Sequence, residues 1–565
     1  MLLRCLFAAF AIGLFRFVDP LDLFGDSVAN PVVDVIGWLA VLFSFGAVAD
    51  IGPERWRRLL RAVASIACLI LPCVFVFDAV LFRWMGDHIW SWSVWRVVTD
   101  LREGLLQYAS WNVAQGVAIP TALSAVYVIA ATAAMRFQRP RSLAWKPWLA
   151  IVAAGWFAAI LFTPKFEKAV VVATKMPPVT SDWDFRSAIA NREQDYRLLV
   201  GQRDVIAPPN DRDVLIVVVE SFRHELITAE GTPNLWRLAQ EGIWCRQHYS
   251  GGNATNHGMF SLVSGLEAVW YDHPIRYSPA MNRLFRSAGY ELGFFAGHDD
   301  WRTFRMDGYI SDEQFDRFEI EPHDGLASDR RATMGAARFL DRKSEETRPP
   351  RLAMLYLYAT HATYDSYPDD RRFTPAADDR FTIPFKPDDV PRVWNRYRNA
   401  AMTADRMIGA LVGTSVGDDR SMQKRIVMVT GDHGESFLED GTIGHGTKLS
   451  PQQNMTPAII WGSDVKARVI DTPTMHADLL PTLLTSVGIN ISQPTALDGV
   501  DLVDASDDDL RSRVFVTRDY MTHDVAIVGS EGSMQRGATV SIKSGQIHDD
   551  GGLLGQWLAN RFGSP

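Results

Sequence analysis

The chain has 565 residues, too many for one ordinary domain. Its formal net charge of −9 argues against a nucleic-acid partner, which calls for a basic face. Of the four cysteines, Cys5, Cys68 and Cys73 fall in apolar stretches, which leaves Cys245 alone in the polar part. An internal disulfide is therefore excluded there, and no Cys-x-x-Cys or Cys/His cluster suggests a structural zinc site.

Five apolar stretches come first, at roughly 2–18, 32–50, 60–82, 115–135 and 147–164. Each is near the roughly 20 residues that cross a bilayer as a helix. The first is the weakest, with Arg4 and Arg16 near its ends, and no small-residue cleavage site marks it as a signal peptide. Arg55, Arg57, Arg58 and Arg61 follow the second stretch; Arg136, Arg139, Arg141 and Lys146 follow the fourth. Asp19, Asp22 and Asp26 lie between the first and second. The third loop is rich in tryptophan, with Trp84, Trp90, Trp92, Trp95 and Trp111. Basic loops face the cytoplasm and Trp favours the membrane interface. The expectation is a multi-pass protein of the cell inner (plasma) membrane, with the chain after about residue 165 extracytoplasmic. The domains expected are a transmembrane region over 1–164, a juxtamembrane connector over 165–210 and a globular domain over 211–565.

The globular part opens on Asp213-Val-Leu-Ile-Val-Val-Val-Glu220, a continuous apolar run expected of a parallel strand buried on both faces. Similar runs follow at Leu292–Ala296, Ala353–Tyr358, Ile426–Thr430 and Ala458–Trp461. Helical patterns at 232–241, 278–288, 392–413 and 474–487 separate them. The alternation predicts an α/β domain with a central, mostly parallel sheet flanked by helices. The tail offers strand-like runs at Val514–Thr517, Val525–Val528 and Thr539–Ile542, then a helix near 552–562, as an extension of that sheet. In such folds ligands bind beyond the carboxyl ends of the strands. Glu220, His298, His361, Asp432 and His433 all fall there, as expected of one shared site.

Thr430-Gly-Asp-His-Gly-Glu-Ser436 places Asp432 and His433 directly after a strand. A carboxylate beside an imidazole suits a divalent metal. Glu220 ends an apolar strand, where its charge is costly to bury without a counter-charge. The alternatives are a metal or a salt bridge to Arg223 or another arginine. Tyr249-Ser-Gly-Gly-Asn-Ala-Thr255 is a glycine-rich turn entering a helix, whose N-terminus suits a phosphate. Thr255 reads either as a helix cap or as a nucleophile activated by a metal. Asn253 on that turn is a candidate substrate contact. So are His298, Trp301 and Arg302, the Arg for a phosphate and the Trp for a head group. His361 and His445 are candidate acid–base groups.

The order of these motifs resembles the alkaline phosphatase/sulfatase superfamily. Five apolar stretches before them look like lipoteichoic acid synthases and phosphoethanolamine transferases. The resemblance implies an α-helical transmembrane region of about five helices followed by a sulfatase-like α/β domain. It assigns Glu220, Thr255, Asp432 and His433 as metal ligands, with zinc or manganese as the ion. His445, twelve residues after His433, and His361, in Thr360-His-Ala-Thr-Tyr-Asp-Ser-Tyr-Pro368, match histidines of the phosphoethanolamine transferases. Met475-His-Ala-Asp-Leu-Leu-Pro-Thr-Leu-Leu484 resembles a structural helix of the superfamily. The disulfides typical of many phosphoethanolamine transferases are absent. So is a Cys-x-Pro-x-Arg type motif, which counts against sulfate ester hydrolysis. The function implied is transfer of phosphoethanolamine or phosphoglycerol from a membrane phospholipid to an envelope glycan or lipid acceptor. Alternatives are a phosphodiesterase and a catalytically inactive, lipid-binding membrane sensor.

Overall fold

The computed structural model describes residues 185–201 and, with short breaks, 212–562, plus isolated positions between 63 and 125. Apart from those isolated positions, the five apolar stretches lie outside the described residues, as do the tryptophan-rich loop, most of the connector and Arg302. Among the described residues no helix is long and apolar enough to cross a membrane. The chain divides into one compact unit of residues 1–181 with 382–387 and another of 182–381 with 388–565. The architecture that follows is that of the second unit.

Its main sheet contains β1 (Asp213–Val219), β2 (Ile243–Tyr249), β3 (Glu291–Ala296), β4 (Arg317–Ile320), β5 (Arg351–Leu357), β6 (Arg425–Gly431), β9 (Met455–Gly462), β10 (Arg468–Ile470) and β11 (Thr474–Met475). The order is β10-β2-β9-β6-β1-β5-β3-β4, with β11 also on β2. All pairings are parallel except those of β9, which runs antiparallel to both β2 and β6. Every residue of β1 is buried. Val214, Ile216 and Val218 join the main core, and Leu215, Val217 and Val219 are equally covered on the opposite face. Burial on both faces is why that strand reads as an unbroken apolar run.

The helices are α1 (Phe185–Val200), α2 (Pro233–Glu241), α3 (Thr255–Ser264), α4 (Ala280–Ser287), α5 (Gly325–Leu340), α6 (Val390–Gly413), the short α7 (Pro451–Asn454), α8 (Leu479–Ser486), the short α9 (Asp507–Arg511) and α10 (Leu554–Phe562). Leu479, Leu480, Leu483 and Leu484 of α8 pack in the same core as Met259 and Phe260 of α3. A small hairpin of β7 (Ser436–Phe437) and β8 (Ile443–Gly444) follows β6.

The tail does not extend the main sheet. Strands β12 (Phe515–Arg518), β13 (Asp524–Val528), β14 (Met534–Ser541) and β15 (Gln546–His548) form a separate four-stranded antiparallel sheet. It meets the rest of the unit where Arg518 bridges Gly252, on the turn before α3.

Candidate metal centre and nucleophile

Because β1, β2, β5 and β6 run in one direction, their carboxyl ends share one edge of the sheet. Glu220 leaves β1, Asp432 and His433 leave β6, and the turn after β2 leads into α3 at Thr255. The helix begins at Thr255 itself. Its N-cap is Ala254, which makes no side-chain cap. The Thr255 hydroxyl instead donates to Glu220 Oε1 at 3.3 Å and lies 3.3 Å from His433 Nε2. His433 Nε2 is 3.2 Å from Glu220 Oε1 and 3.4 Å from Asp432 Oδ2.

These separations test the fit of a metal. A tetrahedral ion with ligand bonds of about 2.0–2.1 Å sets its ligands about 3.3–3.4 Å apart. The supporting contacts agree. His433 Nδ1 faces Gly434 O at 2.8 Å, and a carbonyl only accepts, so Nδ1 carries the proton and Nε2 is left bare as a ligand. Asp432 is held by Ser221 N and His433 N on Oδ1 (2.9 and 2.8 Å) and by the Tyr356 hydroxyl on Oδ2 (2.8 Å). Ser221 takes this position with a φ of 53°, in the left-handed region that a side chain rarely adopts. Glu220 and Asp432 are both buried. Burial and the neighbouring Asp432 carboxylate push Glu220 well above the usual carboxyl range. A cation would relieve that burden. Arg223 does not supply one: it pairs with Glu225 and Glu439, each at 2.6 Å.

His445 extends the cluster. Glu220, His433 and His445 each offer a ligand atom, and all three atoms lie within 4.8 Å of one another. His445 Nδ1 bonds Glu435 Oε2 at 2.7 Å, and Ser221 Oγ lies 3.3 Å from the same nitrogen. Tyr364 donates to the other Glu435 oxygen at 2.7 Å. Burial alone would raise Glu435, but His445 and Tyr364 outweigh it and hold the carboxyl below its ordinary value. His361 is half-buried beside His445, with ring centroids 5.7 Å apart. Burial and the adjoining His445 push it down to about 4.

The other candidates stand further back. Asn253 is buried with both amide ends engaged, its Nδ2 on Asp519 (3.0 Å) and its Oδ1 accepting from Tyr520 N (2.8 Å). It therefore joins the turn before Thr255 to the end of β12. His298 is buried and reaches the cluster through Tyr358, whose ring stacks on His361, and through Tyr356, whose hydroxyl donates to Asp432. Trp301 is 2% exposed, stacked on His298 and packed edge-on against Phe294 and Tyr356, so its ring belongs to the core. Sequence reasoning assigned no role to Ser221, Tyr356, Tyr364 or Glu435. Glu435 and Tyr364 lie within motifs already singled out, whereas nothing local marks Tyr356.

A sulfatase family model matches residues 212–489. Over 86 residues the chain is 31% identical to an uncharacterized protein of Haemophilus influenzae, a match spanning 15% of each chain. Three solved structures are similar in backbone. The integral membrane lipooligosaccharide phosphoethanolamine transferase A (EptA) of Neisseria meningitidis is 16% identical, covering 90% of this chain and 97% of that one, with a TM-score of 0.49. The lipoteichoic acid synthase LtaP of Listeria monocytogenes is 17% identical, covering 66% and 94%, with a TM-score of 0.46. The C-terminal periplasmic domain of EptC of Escherichia coli, in complex with Zn, is 16% identical, covering 54% and 90%, with a TM-score of 0.43.

Proposed function

Starting from a chain whose residues 212–489 carry a sulfatase-family domain, we propose that it transfers a phospho-head group, phosphoethanolamine or phosphoglycerol. The donor in this reading is a membrane phospholipid, the acceptor an envelope glycan or lipid, and the intermediate a phosphothreonine on Thr255. The observation that carries it is the position of Thr255. Its hydroxyl opens a helix, half-buried, 3.3 Å from both Glu220 Oε1 and His433 Nε2.

When bound by Glu220, Thr255, Asp432 and His433, a zinc or manganese ion supplies Lewis-acid chemistry, favouring an ionised hydroxyl and offsetting phosphoryl charge. Thr255 Oγ1 attacks phosphorus, and the new O–P bond forms as the bond to diacylglycerol breaks. The N-terminus of α3 directs backbone N–H groups at the phosphoryl oxygens. His445 is oriented for proton transfer, since Glu435 holds its Nδ1 and leaves the other nitrogen for the leaving or entering oxygen. His361, next to it, is the alternative donor and acceptor. In the second step the acceptor hydroxyl gives up its proton and takes the head group from Thr255. Water in that role makes the same site a phosphodiesterase. The reading includes the domain division at 164 and 210, resting on the apolar stretches and the first strand-like run, and an extracytoplasmic catalytic domain, resting on the loop charges.

The test is intact mass of the full-length chain after incubation with phosphatidylethanolamine or phosphatidylglycerol vesicles and zinc or manganese. A head-group adduct on Thr255 supports transfer, and Thr255→Ala should lower turnover by several orders of magnitude. Released diacylglycerol without an adduct would indicate hydrolysis. Neither adduct nor diacylglycerol, with lipid bound independently of metal, would indicate a sensor; substantial turnover by Thr255→Ala would sink the mechanism.

A further inference from the structure

Behind the metal centre lie two histidines that the reaction does not use. His248 is in β2, and His476 follows β11, which pairs with β2. Both are fully buried and their rings stack, with centroids 5.1 Å apart. They form a hydrogen-bonded chain. Thr474 Oγ1 lies 2.9 Å from His248 Nδ1, His248 Nε2 lies 3.0 Å from His476 Nδ1, and His476 Nε2 lies 2.9 Å from Gly431 O.

The direction of the chain follows from its end. A carbonyl only accepts, so His476 Nε2 carries the proton and its Nδ1 is bare. His248 Nε2 must then donate, which leaves His248 Nδ1 to accept from the Thr474 hydroxyl. Burial keeps both rings neutral, pushing His476 down to about 4 and His248 well below its ordinary value. All four ring nitrogens thus take part in the chain. Apolar side chains of the same volume would fill this space without needing four matched nitrogens. What the imidazoles add is a directed hold on one atom.

That atom is the carbonyl of the last residue of β6, immediately before Asp432. Thr430 Oγ1 lies 3.1 Å from it, with its hydroxyl proton nearer to Pro457 O at 2.8 Å. The next carbonyl, Asp432 O, accepts from Ser250 Oγ at 2.5 Å. His248 and Ser250 both belong to the segment that runs from β2 to Thr255. The Gly431–Asp432 backbone is therefore tied to the Thr255-bearing segment at two successive carbonyls, directly by Ser250 and through His476 by His248.

We propose that His248 and His476 are positioning residues of the metal centre, fixing the segment that carries Asp432 and His433 against the segment that carries Thr255. The inference rests on the metal-centre reading above. Supporting residues behind a metal site alter affinity about 10–100-fold when removed. In the full-length chain, His476→Phe should weaken zinc binding by about that factor in chelator competition. His476→Gln, which keeps a donor near Gly431 O, should recover most of the loss. Where His476→Phe does not fold, His248→Phe against His248→Gln, one link further from the ligands, makes the same comparison. Equal zinc affinity in wild type and the Phe variant overturns the inference alone, and so does equal loss in the Phe and Gln variants. A wild-type chain that takes up no zinc overturns the metal-centre reading and the inference with it.

Discussion

At Thr255 one residue of register separates a helix cap from a hydroxyl turned towards the candidate metal ligands. Had the helix begun at Asn256, the hydroxyl would face the backbone N–H groups of its own first turn. With Ala254 as the N-cap, it turns to Glu220 and His433 instead. Three histidines near the site, His298, His361 and His476, are held neutral by their surroundings. Burial pushes His298 to about 3, and His361 and His476 to about 4. The sign of the consequence is definite. In the unfolded chain these groups take protons near pH 6.5. Between there and about pH 4 the unfolded state binds protons that the folded state refuses, so stability falls as pH falls through that window. Melting temperature should decline from pH 6.5 towards pH 4.5, and His476→Phe should flatten the decline. An unchanged slope in the variant would mean that His476 titrates alike folded and unfolded.

At the scale of elements, helix α3 reaches the candidate metal centre because it approaches the end of β6 closely. A Cβ on Gly258 would lie 2.0 Å from Asp432 O. Gly258→Ala sets two effects against each other. Helix propensity favours Ala by roughly 0.8–1.0 kcal/mol. Forcing a methyl group into a packed contact costs typically about 1–3 kcal/mol, and here the obstruction is backbone that cannot rotate away. The clash should win, so Gly258→Ala is expected to lower both the melting temperature and zinc affinity. Wild-type values for both would show that the helix shifts freely. The strands differ in how plainly they can be read. Strands β1, β3, β5, β6 and β9 are apolar runs because neighbours cover both faces. Strand β2, Ile-Trp-Cys-Arg-Gln-His-Tyr, is not: Arg246 is exposed, His248 is buried, and its pairing with β9 slips between Cys245 and His248. Its polar interior residue is acceptable only because His476 and Thr474 meet it, and those partners lie more than two hundred residues away.

For the whole molecule, the tail closes the unit. Glu267, buried beside α3, accepts from Trp557 Nε1 at 2.9 Å, from Arg561 Nε at 2.9 Å and from Val516 N at 3.0 Å. Asp498 accepts from Glu267 N at 2.9 Å and from Arg192 of α1 at 2.5 Å. Tyr196 of α1 donates to Ser278 O and accepts from Ala280 N, each at 3.1 Å. Helices from the two ends of the described chain thus meet at one buried carboxylate pair. Removing one partner of a buried ion pair costs about 3–5 kcal/mol, since the remaining charge stays buried. Arg561→Ala should therefore unfold at a clearly lower temperature or denaturant concentration, and a midpoint within error of wild type would contradict this.

The sequence by itself determined the strand–helix alternation and the strand-end acids and histidines. Both depend on local patterns: burial on two faces makes a run apolar, and a polar residue ending such a run needs a reason to be there. Glu220, Asp432, His433 and the glycine-rich turn to Thr255 were legible for that cause. Only the tertiary structure decided which of them meet. It brought Tyr356 onto Asp432, Tyr364 and Glu435 behind His445, and His248 and His476 beneath Gly431, through bonds between residues that no periodicity connects. It turned the Trp301 ring into the core beside Phe294 and Tyr356, and folded the tail into its own sheet. Side-chain direction and sheet partnership are settled by packing among distant segments, and that packing leaves no mark on the neighbouring sequence.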